Sequence, residues 1–378
     1  MIEDLKNFRV NWTDGMKISK NHFNEIQNYI QELGRDITSF YLNENNYGLL
    51  PSRLSKASIN VTLNAHNSIS VSIQRLSAIT PNGSRIEIND LTLHVEQSFS
   101  IEEIINKRMT EAYIVLSINP NKNNAFGEQN KEEVPPRLPF INNSFLFKIV
   151  DKTEIESAGV SAFQLPIAKI KNVNGNLEIN DKYIPPCVNV GANDNLIDFY
   201  NYAESFLNQL EINSIRIVKK IRMESNKNPI ADVIYDFCNQ LLTFLGREIT
   251  TIESEGLSNT PMDIMNTVKS MARVIKNRID TYHPKQKESL FIYFGEWVDL
   301  KAGDFEKLFI NTINLDYSHY DLFLPIVKVN EFITTINKLF DILTELDYIG
   351  KKKDTGLFVN ERQISQGNSS NTPSFFAD

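Results

Sequence analysis

The sequence predicts an α+β multidomain protein: an antiparallel β-sandwich with one N-terminal helix, then an α-helical bundle, then a disordered tail. Three observations carry that class. The spacing of apolar residues is three to four between Ser19 and Tyr41, two between Ala57 and Ile179, and three to four again from Asn195 to Leu346. Asn-, Gly- and Pro-containing turns punctuate the middle region, whereas caps and prolines open the later segments. Beyond Gly350 the chain turns polar and keeps no period. Boundaries at 1–188, 189–349 and 350–378 follow.

Ser19 is placed to cap a helix reaching Tyr41, with Phe23, Ile26, Ile30, Leu33, Ile37 and Phe40 at alternating steps of three and four. Such a seam suits a coiled coil between subunits. The same pattern also fits an amphipathic helix lying on its own domain, and periodicity alone does not choose.

Ile59, Val61 and Leu63 alternate with polar residues, and after 64–67 the alternation resumes at Ile69, Val71 and Ile73, as in a hairpin. Asn82-Gly83 tolerates positive φ and should turn the strand around Ile79 into one around Ile86 and Ile88. Further strands are expected near 91–95, 113–118, 145–150, 163–170 and 177–179, which together make a sandwich. Residues 119–143 are rich in Asn, Pro and charge and read as a long loop. Its apolar end, Leu138, Phe140 and Ile141, can meet a partner or fold onto the sandwich.

The helical part opens at Asn195, continues from Pro229 and again from Thr260-Pro261, passes through shorter helices near 289–300 and 304–314, and closes with one from Tyr320 to Leu346. In the tail, Phe375 and Phe376 offer either a short aromatic anchor or a frayed end.

With 378 residues, 41% hydrophobic, the chain can build more than one core. A formal charge of −8 and no basic run outside 351–353 disfavour nucleic acid as a partner. The two cysteines, Cys187 and Cys238, suit a reducing compartment and buried sites. The N-terminus lacks a signal-peptide pattern, and no window approaches the ~20 apolar residues of a membrane helix. A cytoplasmic protein without direct membrane insertion is therefore expected.

Chemistry is hard to find. There is no phosphate-binding glycine loop, no nucleophile elbow and no zinc-protease motif, and the five histidines are scattered. Asp316, His319 and Asp321 form the one local group of metal-ligand types, and their place before a helix reads as capping and solvated turn chemistry. No enzyme, no cofactor and no metal is expected. His22 reads as a hydrogen-bonded structural histidine, and Trp12 as a core anchor with its indole N–H on backbone. Gly15 reads as a turn residue, and Pro185-Pro186 as a stiff, extended connector between strands and bundle.

Two strings stand out: Trp12-Thr13-Asp14-Gly15-Met16 with His22-Phe23, and Asp181-Lys182-Tyr183-Ile184-Pro185-Pro186-Cys187. In collinear order with a later stretch from His283 to Phe309, they resemble the TssK family of type VI secretion baseplate subunits. The matching positions are Trp12, Gly15, Met16, His22 and Phe23, and then Tyr183, Pro185, Pro186 and Cys187.

The resemblance implies a homotrimeric, non-catalytic structural adaptor. Its shell domain would be like that of phage receptor-binding proteins and would bind wedge proteins of the TssF and TssG types. Its bundle would form a neck. The family carries a C-terminal head that docks on the envelope complex, but only about thirty polar residues follow Leu346. A variant without the head, of a Bacteroidota-like subtype, is expected, recruited to the inner-membrane face through a membrane-side component of unknown identity. A phage-like receptor-binding protein recognising saccharide is the alternative, since it shares the sandwich.

Overall fold

The computed structural model describes residues 5–352 except 53–55, 65–67, 91, 93, 175, 225–227 and 299. After an extended segment, α1 (Lys20–Ser39) begins where Ser19 takes extended dihedrals, and the Ser19 N–H donates to His22 Nδ1 at 3.2 Å. One face of α1 lies on the turn at Gly83. A Cβ there would fall 2.8 Å from the Arg35 carbonyl oxygen, so only glycine permits this approach. Residues before α1 run beside it, with Lys6 N and Asn7 N donating to Glu32 at 2.9 and 2.7 Å.

The first sheet is built on the long strand β3 (Ser68–Ile79), which pairs antiparallel with β1 (Gly48–Leu49), β2 (Ser58–Asn64), β4 (Arg85–Ile88) and β5 (Val95–Ser100). Its buried residues shift phase, from Ile69, Val71 and Ile73 to Leu76 and Ala78. The cause is a bulge: Ser58 faces Arg75 while Ile59 faces Ile73, so β3 carries one extra residue there and reverses which side chains point inward. The expected turn at Asn82-Gly83 forms, with Gly83 at φ +83°. The expected strand near 91–95 is displaced to β5. Of the turn residues at 64–67, Ala65, His66 and Asn67 lie outside the described residues.

After the short α2 (Glu102–Asn106), a second antiparallel sheet runs in the order β7 (Phe140–Asp151), β6 (Glu111–Phe126), β8 (Gln164–Val173), β9 (Asn176–Ile179), with α3 (Lys152–Ala158) after β7. Ala112 to Ile118 are all buried, because Ile114 and Leu116 face the core shared with the first sheet while Tyr113 and Val115 face a smaller cluster with Ile155 and Tyr183. The loop expected over 119–143 is about half strand, at 119–126 and 140–143. Beyond a register jump between Asn119 and Asn123, Asn123 to Phe126 pair with Asn143 to Phe140, leaving a connection of 127–139. Periodicity misses this ribbon because asparagine-rich strands bury little, and the pairing is carried by the backbone.

The helical part comprises α4 (Asp194–Met223), α5 (Pro229–Glu255), α6 (Pro261–Asp280), α7 (Pro284–Val298), α8 (Ala302–Ile313) and α9 (Phe323–Glu345). Asn193, not Asn195, caps α4: its side chain accepts from Asn195 N at 2.9 Å. Pro229 and Pro261 stand in the first turns of α5 and α6 behind the caps Asn228 and Thr260. Phe237, Phe294, Phe305, Phe332 and Phe340 fill the interior of the bundle. Among the described residues no helix is long and apolar enough to cross a membrane.

Candidate interaction surfaces

The apolar stripe of α1 is the first feature to need a function. Phe23, Ile30, Ile37 and Phe40 are 59, 60, 53 and 65% exposed, and Ile26 and Leu33 are half-buried. The single chain therefore leaves bare the residues a helix normally buries. Ahead of the helix, Thr13 O accepts from Met16 N at 3.2 Å and Gly15 has φ +77°, a turn that glycine makes without strain. Met16 is half-buried. Trp12 is no core anchor. It is 47% exposed and stands edge-on to His22, ring centroids 5.7 Å apart. The segment before α1 lies on the outside of the fold, where an aromatic finds no interior to fill.

The second surface is the end of the β6–β7 hairpin. Leu138, Phe140 and Ile141 are 40, 59 and 48% exposed, so they do not tuck onto the sheets. The Phe126 and Phe140 rings pair at 5.7 Å at the base of the connection. Phe375 and Phe376 lie outside the described residues.

The second sequence string does something different. Tyr183, Ile184, Pro185, Pro186 and Cys187 are all buried, in an extended segment between β9 and α4. Leu49 N donates to Pro186 O at 2.8 Å, and Val188 N returns a bond to Leu49 O at 2.9 Å. Gly48, at φ +115°, lets this happen: a Cβ there would fall 2.0 Å from Pro186 O. Tyr183 donates its hydroxyl to Tyr320 O at 2.7 Å, and Leu322 N donates to Ile184 O at 3.4 Å. The string is thus stitched to β1 and to the lead-in of α9. Burial pushes the Cys187 and Cys238 thiols well up, which keeps them unreactive.

Of Asp316, His319 and Asp321, Asp316 is exposed as a solvated turn residue, but the other two are not. His319 and Asp321 are buried in the same joint. Asp321 Oδ2 accepts from Lys169 Nζ at 2.8 Å and from Tyr113 Oη at 3.0 Å, and Lys169 also meets Glu111 at 3.0 Å. The loop before α9 folds inward onto the second sheet, and its polar side chains face the polar atoms of β6 and β8. Tyr47, Gly48, Glu111, Tyr113 and Lys169 carry no local motif, and of these only the glycine offered any signal. Among the described residues no group of three or more His, Cys, Asp or Glu side chains is placed to hold a metal ion.

No family model matches the chain, and no curated protein sequence is significantly similar to it. Solved structures are similar in fold. A crystal structure of TssK superposes with a TM-score of 0.52 at 13% identity, covering 88% of this chain and 69% of that one. The chain has the TssK fold. A chain of the cryo-electron-microscopy structure of the type VI secretion TssK–TssF–TssG baseplate subcomplex gives 0.51 at 12% identity, covering 87% and 100%. A chain of the type VI secretion baseplate complex gives 0.53 at 11%, covering 89% and 100%. The TssK fold thus extends over strands and bundle together, although few side chains are shared.

Proposed function

We propose that this chain is a structural adaptor of a type VI secretion baseplate, acting by surface burial and making no bonds. The observation that carries the reading is the bare apolar stripe on α1, in a chain whose fold is shared with chains of solved baseplate complexes. Full burial of such a side chain contributes about 1.5–3 kcal/mol. Phe23, Ile30 and Ile37 have just over half of their surface left to cover and Ile26 and Leu33 less, so these five residues from three copies together form a seam of useful strength.

In this reading residues 1–188 are a shell and 189–349 a neck, joined by the string at Tyr183 to Cys187. The shell clusters around a trimer axis. The hairpin end, with Leu138, Phe140 and Ile141, grips an extended part of a wedge subunit of the TssF or TssG type. The neck faces the membrane-side component, and the protein works in the cytoplasm at the inner-membrane face. Neither a cofactor nor a metal is needed.

The test is co-purification with the products of neighbouring genes, followed by mass measurement. A trimer bound to wedge proteins is the expected result. A monomer at working concentration that ignores those proteins would sink the reading, and glycan binding with no effect on baseplate assembly would favour a receptor-binding protein.

A further inference from the structure

At one end of the bundle, α5 and α7 leave a groove of about 440 Å³. Its floor is apolar: Ile230, Val233, Ile292 and Tyr293, with Pro229 at one side. Ile292 is 52% exposed, in the middle of a helix whose neighbouring residues Leu290 and Phe291 are buried. The last described residues also line it. Ile349 is fully buried and its carbonyl accepts from Asn228 Nδ2 at 3.3 Å; Gly350 N donates to Tyr293 Oη at 3.0 Å. Gly350 has φ +95°, and a Cβ there would fall 1.9 Å from Asn228 Nδ2. The chain is therefore clamped between the start of α5 and the middle of α7, and it leaves along the groove, with Lys352 on the rim.

We propose that the groove is the docking site of this chain's own Leu357, Phe358 and Val359. These are the first apolar residues beyond Lys352. Four residues separate Lys352 from Leu357, enough at about 3.3 Å each to cross the groove or turn back along it. The intervening Asp354-Thr355-Gly356 has the composition of a tight turn. Phe375 and Phe376 are a poorer fit because closing the longer loop costs more entropy. A partner at this end of the bundle would first have to displace the trio.

Disulfide trapping in the full chain tests this. The native Cys187 and Cys238 are fully buried and stay silent. Ile292→Cys with Phe358→Cys should form an intrachain disulfide under mild oxidation at least ten-fold faster than Ile292→Cys with Phe375→Cys. Both tails start from the clamp at Gly350, so an undocked chain would favour position 358 by about five-fold on loop length alone, and a ratio no greater than that would overturn the proposal. Disulfides between chains would also overturn it. Ile292→Lys alters only an exposed position and should speed tryptic cleavage at Arg362 several-fold; an unchanged rate would overturn it as well.

Discussion

The Nε2 atom of His319 lies 2.7 Å from the carbonyl oxygen of Tyr47, a residue 272 positions earlier. A carbonyl only accepts, so Nε2 carries the proton and Nδ1 accepts the Tyr317 hydroxyl at 2.7 Å. Burial pushes the imidazole pKa down to about 4, against the pull of the Tyr47 carbonyl, so the folded chain holds it neutral. The unfolded chain takes up this proton near pH 6.5. Between those values the unfolded state binds more protons, and stability present above pH 6.5 is lost as pH falls to 4, by up to ~3 kcal/mol. Urea unfolding of the parent and His319→Gln at pH 7, 5 and 4 checks this. The parent should lose more stability by about that amount, since the carboxylates titrate in both.

Asp321 ties the lead-in of α9 to two strands at once. Asp321→Ala removes the acceptor of Tyr113 and one of the two carboxylates that meet Lys169, whose side chain is only 9% exposed. A loss of about 3–5 kcal/mol is expected, as for other broken buried pairs. In a double-mutant cycle, Lys169→Met should recover part of that loss; strict additivity would mean that the contact carries little energy.

Gly48→Ala puts a methyl group against Pro186 O and forces a side chain into positive φ. The expected cost is ~3 kcal/mol, of the size seen for overpacked cores. It should appear as a lower melting temperature, with Gly34→Ala, which has open space within 4 Å, as the mild control.

Ile30→Asp tests the α1 seam without touching the core, since Ile30 is 60% exposed. Its melting temperature should stay near the parent's while its solution mass falls to that of the monomer. A trimer that survives Ile30→Asp and Phe23→Asp together would remove α1 from the interface.

At the hairpin end, Phe140→Asp should lower affinity for the wedge proteins by ten-fold or more and leave self-association unchanged. Titration calorimetry with a purified wedge subunit reads the difference.

Regular elements were legible where side chains and backbone tell one story. Phe23 to Phe40 at helical spacing, Asn82-Gly83 at a hairpin and Thr260-Pro261 at a helix start each state their own geometry. Legibility failed where backbone or distance decides. The ribbon at 123–126 is held by main-chain pairing, half of it between asparagines, which no apolar period marks. Asp321 and His319 look like turn residues because their partners, Lys169 and Tyr47, are far away in sequence. Trp12 misled for the opposite reason: an aromatic suggests an interior, yet its segment lies on the outside.

The stitching of Leu49 to Pro186 and of Tyr47 to His319 also bears on how the protein is made. A nascent chain has released both sheets from the ribosome long before His319 emerges. At about 5–20 residues per second, translation from Cys187 to His319 takes on the order of ten seconds. Throughout that interval the newborn sheets lack the loop that seals them, and the α1 stripe is already on view. Premature pairing between neighbouring nascent chains on one messenger is thus a hazard this topology sets for itself, and the interval is a natural one for a chaperone to occupy.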